Sequence, residues 1–227
     1  MKALKIFSFL IIVLLFSSNL FAQENFRIRT DFTTKEKFPD GKMRLTMGTV
    51  YYDKNVSKLV YDIHFPQNET WVFVDTTCYM FRNDSLIKTS INPFFQKTSI
   101  FHFALTNNLI NFGLTDIVFD ITNIKKDGNL ILVTWTPKEK FQDNFGRIIT
   151  SKKDNKLYGV AVYNKDGVLV SKQIFDNYIK VGNIDFPTKI IQIQYSSEGE
   201  GYQITDYKNI ILNEMDNHYY YNFIVNR

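Results

Sequence analysis

Leu59-Val60-Tyr61-Asp62-Ile63-His64-Phe65 is the stretch that sets the fold class. Leu59, Tyr61, Ile63 and Phe65 alternate with Val60, Asp62 and His64, a period of two over a full strand length. Such a strand has one apolar face and one polar face. Upstream, Met43 to Tyr52 reads as a second strand, and Phe26 to Thr30 alternates in the same way. Downstream, Trp71 to Val74 and Cys78 to Phe81 read as short strands with Asp75-Thr76-Thr77 as the turn between them.

The second half repeats the pattern. Val118 to Ile124 and Leu130 to Thr136 flank Lys126-Asp127-Gly128-Asn129. Leu157 to Tyr163 and Val168 to Phe175 flank Asn164-Lys165-Asp166-Gly167. Asp-Gly between two apolar runs is a strong hairpin signal, because glycine accepts the positive φ that a tight turn needs. Ile190 to Tyr195, Tyr202 to Leu212 and Tyr219 to Val225 complete a count of roughly eleven to thirteen strands. That spacing predicts an antiparallel sheet or barrel.

One region departs from strand periodicity. Asn92-Pro93-Phe94-Phe95 opens a stretch running to Leu109, with Asn92 at a helix N-cap and Pro93 at the first helical position. Phe94, Phe101 and Leu105 fall at helical spacing, and a second short turn is expected between Leu109 and Asp116. The insert also carries Phe95, Ile100, Phe103, Leu109 and Phe112, an apolar load that must pack on something. It must therefore plug the mouth of a curved sheet, line a cavity with it, or complete an ordinary core.

Residues 1–22 read as a secretory signal peptide. Lys2 and Lys5 precede the apolar run Phe7 to Phe16, and Ala22 suits a cleavage site before Gln23. Its removal takes away two lysines and lowers the formal charge of the 227-residue chain from +4 to +2. A nearly neutral mature chain argues against a nucleic-acid binder. One cysteine, Cys78, cannot form an internal disulfide and cannot build a multi-cysteine zinc module. Export with a lone cysteine suits a bacterial periplasm. One domain is expected over residues 23–227, since no linker or low-complexity tract interrupts it.

Catalytic patterns are absent from the chain. His64, His102 and His218 are widely separated, and none has a second histidine or acid at metal-binding spacing. There is no nucleophile elbow and no phosphate-cradling glycine loop. Glu198-Gly199-Glu200-Gly201 reads as a polar turn. The expectation is a non-enzyme with no cofactor and no metal.

The order of these parts resembles the LolA-type periplasmic carriers of outer-membrane lipoproteins. The resemblance begins at Gly48-Thr49-Val50-Tyr51-Tyr52 and continues through Lys58 to Ile63, Phe65-Pro66 and Glu69 to Asp75. Asn92-Pro93-Phe94 and the helix expected after it resemble the family's mid-chain helical lid. Val133 to Pro137 resembles its strand ending in a proline, and Tyr158 to Tyr178 its late hairpin. The chain differs at its start, where Phe26 to Thr30 reads as a strand and the family has an amphipathic helix.

The resemblance implies a mainly β fold, an incomplete antiparallel β-barrel or strongly curved sheet closed by a helical lid. It implies a hydrophobic cavity that holds the acyl chains of lipoproteins or related lipids. It further implies an inner-membrane releasing complex and an outer-membrane acceptor as partners of a monomeric carrier. The cavity lining expected on this basis is Leu59, Tyr61, Ile63, Trp71, Phe73, Phe119, Ile121 and Trp135. The expected lid carries Phe94, Phe95, Ile100, Phe101, Phe103, Leu105 and Leu109, and the family's basic latch has its nearest counterpart in Lys54. On this view Phe101→Asp would cut lipid binding and leave the fold largely intact.

Overall fold

The computed structural model describes residues 24–91 and 98–224. Six strands lead the chain: β1 (Arg27–Lys37), β2 (Met43–Asp53), β3 (Lys58–Phe65), β4 (Glu69–Val74), β5 (Thr77–Arg82) and β6 (Ser85–Ile91). A helix, α1 (Ile100–Leu105), comes next. Seven further strands are β7 (Phe119–Asp127), β8 (Leu130–Pro137), β9 (Ile148–Lys153), β10 (Lys156–Tyr163), β11 (Leu169–Val181), β12 (Ile184–Ser196) and β13 (Gly199–Leu212). A single helical turn, α2 (His218–Tyr221), lies near the end of the described chain.

All thirteen strands join one antiparallel sheet in the order β6-β5-β4-β3-β2-β1-β13-β12-β11-β10-β9-β8-β7. Two meanders lie side by side, and the pairing of β1 with β13 joins them. β6 and β7 are therefore the two edges of the same open, curved sheet. The chain must cross from one edge to the other between them, and α1 lies on that crossover. α1 packs its apolar side chains on one face of the sheet.

Register shows which face. Phe32 pairs with Tyr207 on β13 and with Gly48 on β2. Gly48 pairs with Ile63. Ile28 pairs with Tyr52, Tyr52 with Leu59, and Leu59 with Phe73. These side chains share the inner face, and they form one buried cluster with Ile100, Phe101, Phe103 and Leu105 of α1. The opposite face of β2 to β4 carries Tyr51, Val60 and Val72, which are covered by Tyr220, Tyr221 and Phe223 of the C-terminal segment.

The strands differ from expectation in three places. The β5–β6 and β9–β10 hairpins carry no Asp-Gly signal, because they turn through Asn83-Asp84 and Asp154-Asn155. All four of those residues have positive φ, a conformation that Asn and Asp tolerate best among residues with a side chain. β12 begins at Ile184, six residues before the expected start, and carries Pro187 inside it. Proline within a run ordinarily argues against strand. Here Asn177, next to Tyr178 that pairs with Pro187, has positive φ and interrupts the regular ladder where the proline lacks its N–H. The pattern of Tyr219 to Val225 predicts a strand. The structure instead makes His218–Tyr221 a helical turn, which lets Tyr220 and Tyr221 both reach back to Tyr51.

Helix α1 begins at Ile100. Its cap is Ser99, whose hydroxyl accepts the backbone N–H of His102 at 3.2 Å. The expected cap at Asn92-Pro93 lies outside the described residues, as do Phe94, Phe95 and the signal segment. The expected second turn is a short 3-10 turn, Leu109–Asn111. Gly113 ends this region with positive φ beside the ring of Phe103, a space that no side chain could share.

Candidate functional site

A cavity of about 340 Å³ opens on the inner face beside α1's cluster. Its wall is built by alternation along neighbouring strands. β1 contributes Phe32 and Thr34, β3 contributes Tyr61 and Ile63, β4 contributes Trp71 and Phe73, and β13 contributes Thr205 and Tyr207. Cys78 and Met80 on β5 and Ser90 on β6 complete the side nearest the sheet edge. The volume lies within the range of small-molecule sites, about 300–1,000 Å³.

The wall is held by aromatic edge contacts. Phe32 and Tyr61 meet edge to face at 5.3 Å, and Tyr61 meets Phe73 at 5.9 Å. Burial pushes the phenols of Tyr61 and Tyr207 well above their ordinary range, and it pushes the Cys78 thiol up to about 11. These groups stay neutral, so the deep wall carries no charge. Charge gathers at the opening, where Glu36 accepts two bonds from Arg44, at 2.6 and 3.0 Å. That pairing holds the Arg44 guanidinium above its ordinary value. Glu69 accepts from the Trp71 indole at 2.9 Å and from Arg82 at 2.6 Å. The first bond fixes the ring plane of a cavity-wall residue.

Four expected lining residues, Tyr61, Ile63, Trp71 and Phe73, stand together on this wall. Leu59 lies on the same face but is fully buried in the core beneath α1. Phe119 and Trp135 lie elsewhere, in a separate small cluster with Val133 on the β7–β8 arm. Ile121 is 51% exposed on edge strand β7. Register puts Trp135 and Ile121 opposite one another, yet five strands lie between β8 and β1, so they do not reach this cavity. Phe32, Met80 and Tyr207 escape a reading of the sequence alone. Phe32 does follow the alternation of β1, but its pairing with a strand 175 residues away has no local signal.

The five described lid residues, Ile100, Phe101, Phe103, Leu105 and Leu109, are all buried. Phe101 is 1% exposed and packs against Phe186 and Tyr207, at 6.1 and 5.6 Å between centroids. α1 therefore fills one end of the inner face as core does, and the cavity occupies the other. Lys54 sits in the β2–β3 turn and pairs with Glu24 at 2.5 Å, across a cleft from Ala104 to Asn107 at the end of α1.

Histidines remain dispersed. His64 contacts Asp62 at 2.9 Å on the outer face, His102 lies on α1, and His218 opens α2. Among the described residues no three His, Cys, Asp or Glu side chains gather as a metal site would require.

No family model matches the sequence, and no curated protein matches it. Solved structures do match the fold. A LolA superfamily protein from Nitrosomonas europaea superposes with a TM-score of 0.58 at 13% identity, over 88% of this chain and 91% of its own. A candidate outer membrane lipoprotein-sorting protein domain from Vibrio parahaemolyticus gives 0.59 at 8% identity, over 86% and 88%.

The chain has the LolA-like fold.

A DUF1329 family protein from Desulfovibrio piger shares it, with a TM-score of 0.60 at 13% identity over 87% of this chain and 90% of its own. Coverage of 86–91% in both directions means that the shared fold extends over most of this chain. This chain builds that architecture with a strand, β1, at its start. Because the pairing of β1 with β13 joins the two meanders, the LolA-like sheet here depends on the segment read from the sequence as a strand.

Proposed function

We propose that the protein is an exported, periplasmic carrier that sequesters the acyl chains of lipoproteins, or of related lipids, for transfer to the outer membrane. The supporting observation is a cavity on the inner face of a LolA-like sheet whose deep wall is aromatic and uncharged, with a paired Glu36 and Arg44 at its opening. Each buried CH₂ contributes about 0.8 kcal/mol, so a chain of ordinary length is held without any covalent step. Carriage requires no reaction, and the protein acts by sequestration. Residues 1–22 direct export and are removed. A releasing complex in the inner membrane and an acceptor in the outer membrane complete the route.

Native mass spectrometry of the protein purified from its own periplasm tests this. A bound species with the mass of an acyl chain, or a co-purified lipoprotein, is the expected result. Failure to bind either an added lipoprotein or a fatty-acyl probe would move the function to a second reading. In that reading the protein is an envelope interaction module whose open edges pair with a partner strand. Exposed Ile121 and Ile124 on β7, and Leu86, Ile87 and Ile91 on β6, favour it.

A further inference from the structure

A further concavity lies on the outer face, between the β5–β6 turn and the C-terminal segment. It is a groove of about 590 Å³, within the range of small-molecule sites. Phe81 of β5, Tyr219 of α2 and Phe223 just beyond α2 bring three aromatic rings to it. Leu86 and Ile224 add aliphatic wall, and Asp84 and Asn222 are its polar members. None of these residues lines the inner cavity.

The rings are fixed to the sheet. Phe223 meets Phe81 at 5.1 Å between centroids with the planes tilted by 56°, and meets Tyr219 at 5.5 Å with a tilt of 76°. Tyr220, next to Tyr219, stacks on Tyr51 at 4.3 Å and donates its hydroxyl to Asp62 at 2.5 Å. Lys58 of β3 donates to the backbone carbonyls of Tyr221 and Phe223, each at 3.0 Å. Apolar surface is nevertheless left open, with Tyr219 59% and Ile224 77% exposed.

The chemistry of the wall selects by charge and by shape. Aromatic rings attract cations through their quadrupole. The charged member of the wall is a carboxylate, Asp84, and among the described residues no Lys or Arg lines the groove. Arg82, two positions before Asp84, is held by Glu69 at 2.6 Å. Burial pushes the Tyr219 phenol above its ordinary value, and the carboxylates of Asp84 and Asp62 push it in the same direction. An anion would meet that field unpaired. Rings tilted steeply against one another make a hollow, which suits a rounded group better than the flat face of a sugar. A primary ammonium is strongly hydrated and brings three N–H donors that rings and aliphatic carbons cannot satisfy. A quaternary ammonium is rounded, has no N–H and gains from both the rings and the carboxylate.

We infer that this groove is a binding site for a quaternary ammonium ion, held among Phe81, Tyr219 and Phe223 with Asp84 as its counter-charge. The site is independent of the carrier reading, since it uses other residues on the opposite face of the sheet.

Titration of the purified protein followed by amide NMR tests it, with choline, ethanolamine, phosphocholine and 3,3-dimethylbutanol as probes. The last has the shape of choline without the charge. Choline is expected to bind about tenfold more tightly than 3,3-dimethylbutanol, with shifts centred on the β5–β6 turn and α2. Asp84→Asn keeps a residue that tolerates the positive φ of this turn and removes the charge. It should weaken choline about threefold, as should Tyr219→Leu, while Tyr219→Phe retains affinity. The double variant Asp84→Asn, Tyr219→Leu should lose about tenfold, and thermal melts show that each variant folds. Phosphocholine separates the sources of the ion: weaker binding than choline marks a free ammonium ion, tighter binding marks a lipid head group, and either supports the site. Equal binding of choline and 3,3-dimethylbutanol, tighter binding of ethanolamine than of choline, or no binding of choline would each overturn the inference and leave the carrier reading standing.

Discussion

The Tyr52 hydroxyl and Nδ1 of His102 lie 2.8 Å apart, in a hydrogen bond that ties strand β2 to helix α1. Tyr52 is buried on the inner face, and burial pushes its phenol up to about 12, so it remains protonated at any physiological pH. This bond joins a six-residue helix to the sheet. Tyr52→Phe keeps the ring and removes the hydroxyl, and is expected to cost about 1 kcal/mol. Hydrogen exchange should show α1 amides opening faster, with the β2 amides little changed.

Phe101, expected on the lid, is packed as a core residue is packed. It is buried among Tyr52, Phe186 and Tyr207. Phe101→Ala should cost about 3–5 kcal/mol as a cavity-forming substitution. Phe101→Asp adds a buried charge and should cost more, which reverses the expectation that the fold survives it. Urea unfolding of both variants measures this.

Ser90 faces the cavity from edge strand β6 and is half-buried. Ser90→Trp places an indole in the chamber from a strand that has a neighbour on one side only. Palmitate affinity should fall about tenfold or more, while stability changes by only about 0.5 kcal/mol. A matching loss of stability and binding would show that the chamber wall cannot take the ring.

Cys78 reports on the chamber. Its thiol is pushed up to about 11 by burial, and only the thiolate reacts. A disulfide reagent should therefore label it slowly at neutral pH, with the rate rising about tenfold per pH unit up to that value. Saturating palmitate should slow labelling further, because Cys78 lines the same wall as Phe73.

Gly48 opens the stretch where the family resemblance begins, and its role is steric. A Cβ there would stand 2.1 Å from the backbone oxygen of Asp62. Backbone cannot swing aside as a side chain can, so Gly48→Ala must push β3 away from β2 at their register shift. The expected loss is about 1–3 kcal/mol by chemical denaturation.

Much of the sheet is written locally. The alternation of Leu59 to Phe65 identifies β3 and separates its two faces, register then shows which of them turns inward, and Asp127-Gly128 and Asp166-Gly167 mark two hairpins where the structure has them. Turns made by Asn83-Asp84 and Asp154-Asn155 are harder to read, because the same residue pairs are common in solvated loops. β6 is doubly hidden, since an edge strand exposes nearly all its side chains and loses its periodicity.

Strand content and the apolar insert are legible in the residues alone, because each depends on neighbours two to four positions apart, whereas which face of a strand turns inward waits on register. Which inward residues meet is a matter of long-range pairing. Tyr61, Trp71 and Phe73 share a chamber with Phe32 and Tyr207 because β1 pairs with β13 across nearly the whole length of the chain. Trp135, with the same local pattern, is carried to a different cluster by the five strands between β8 and β1. Gln192 of β12 and Gln203 of β13 likewise come level only through hydrogen-bond register, which local periodicity does not encode.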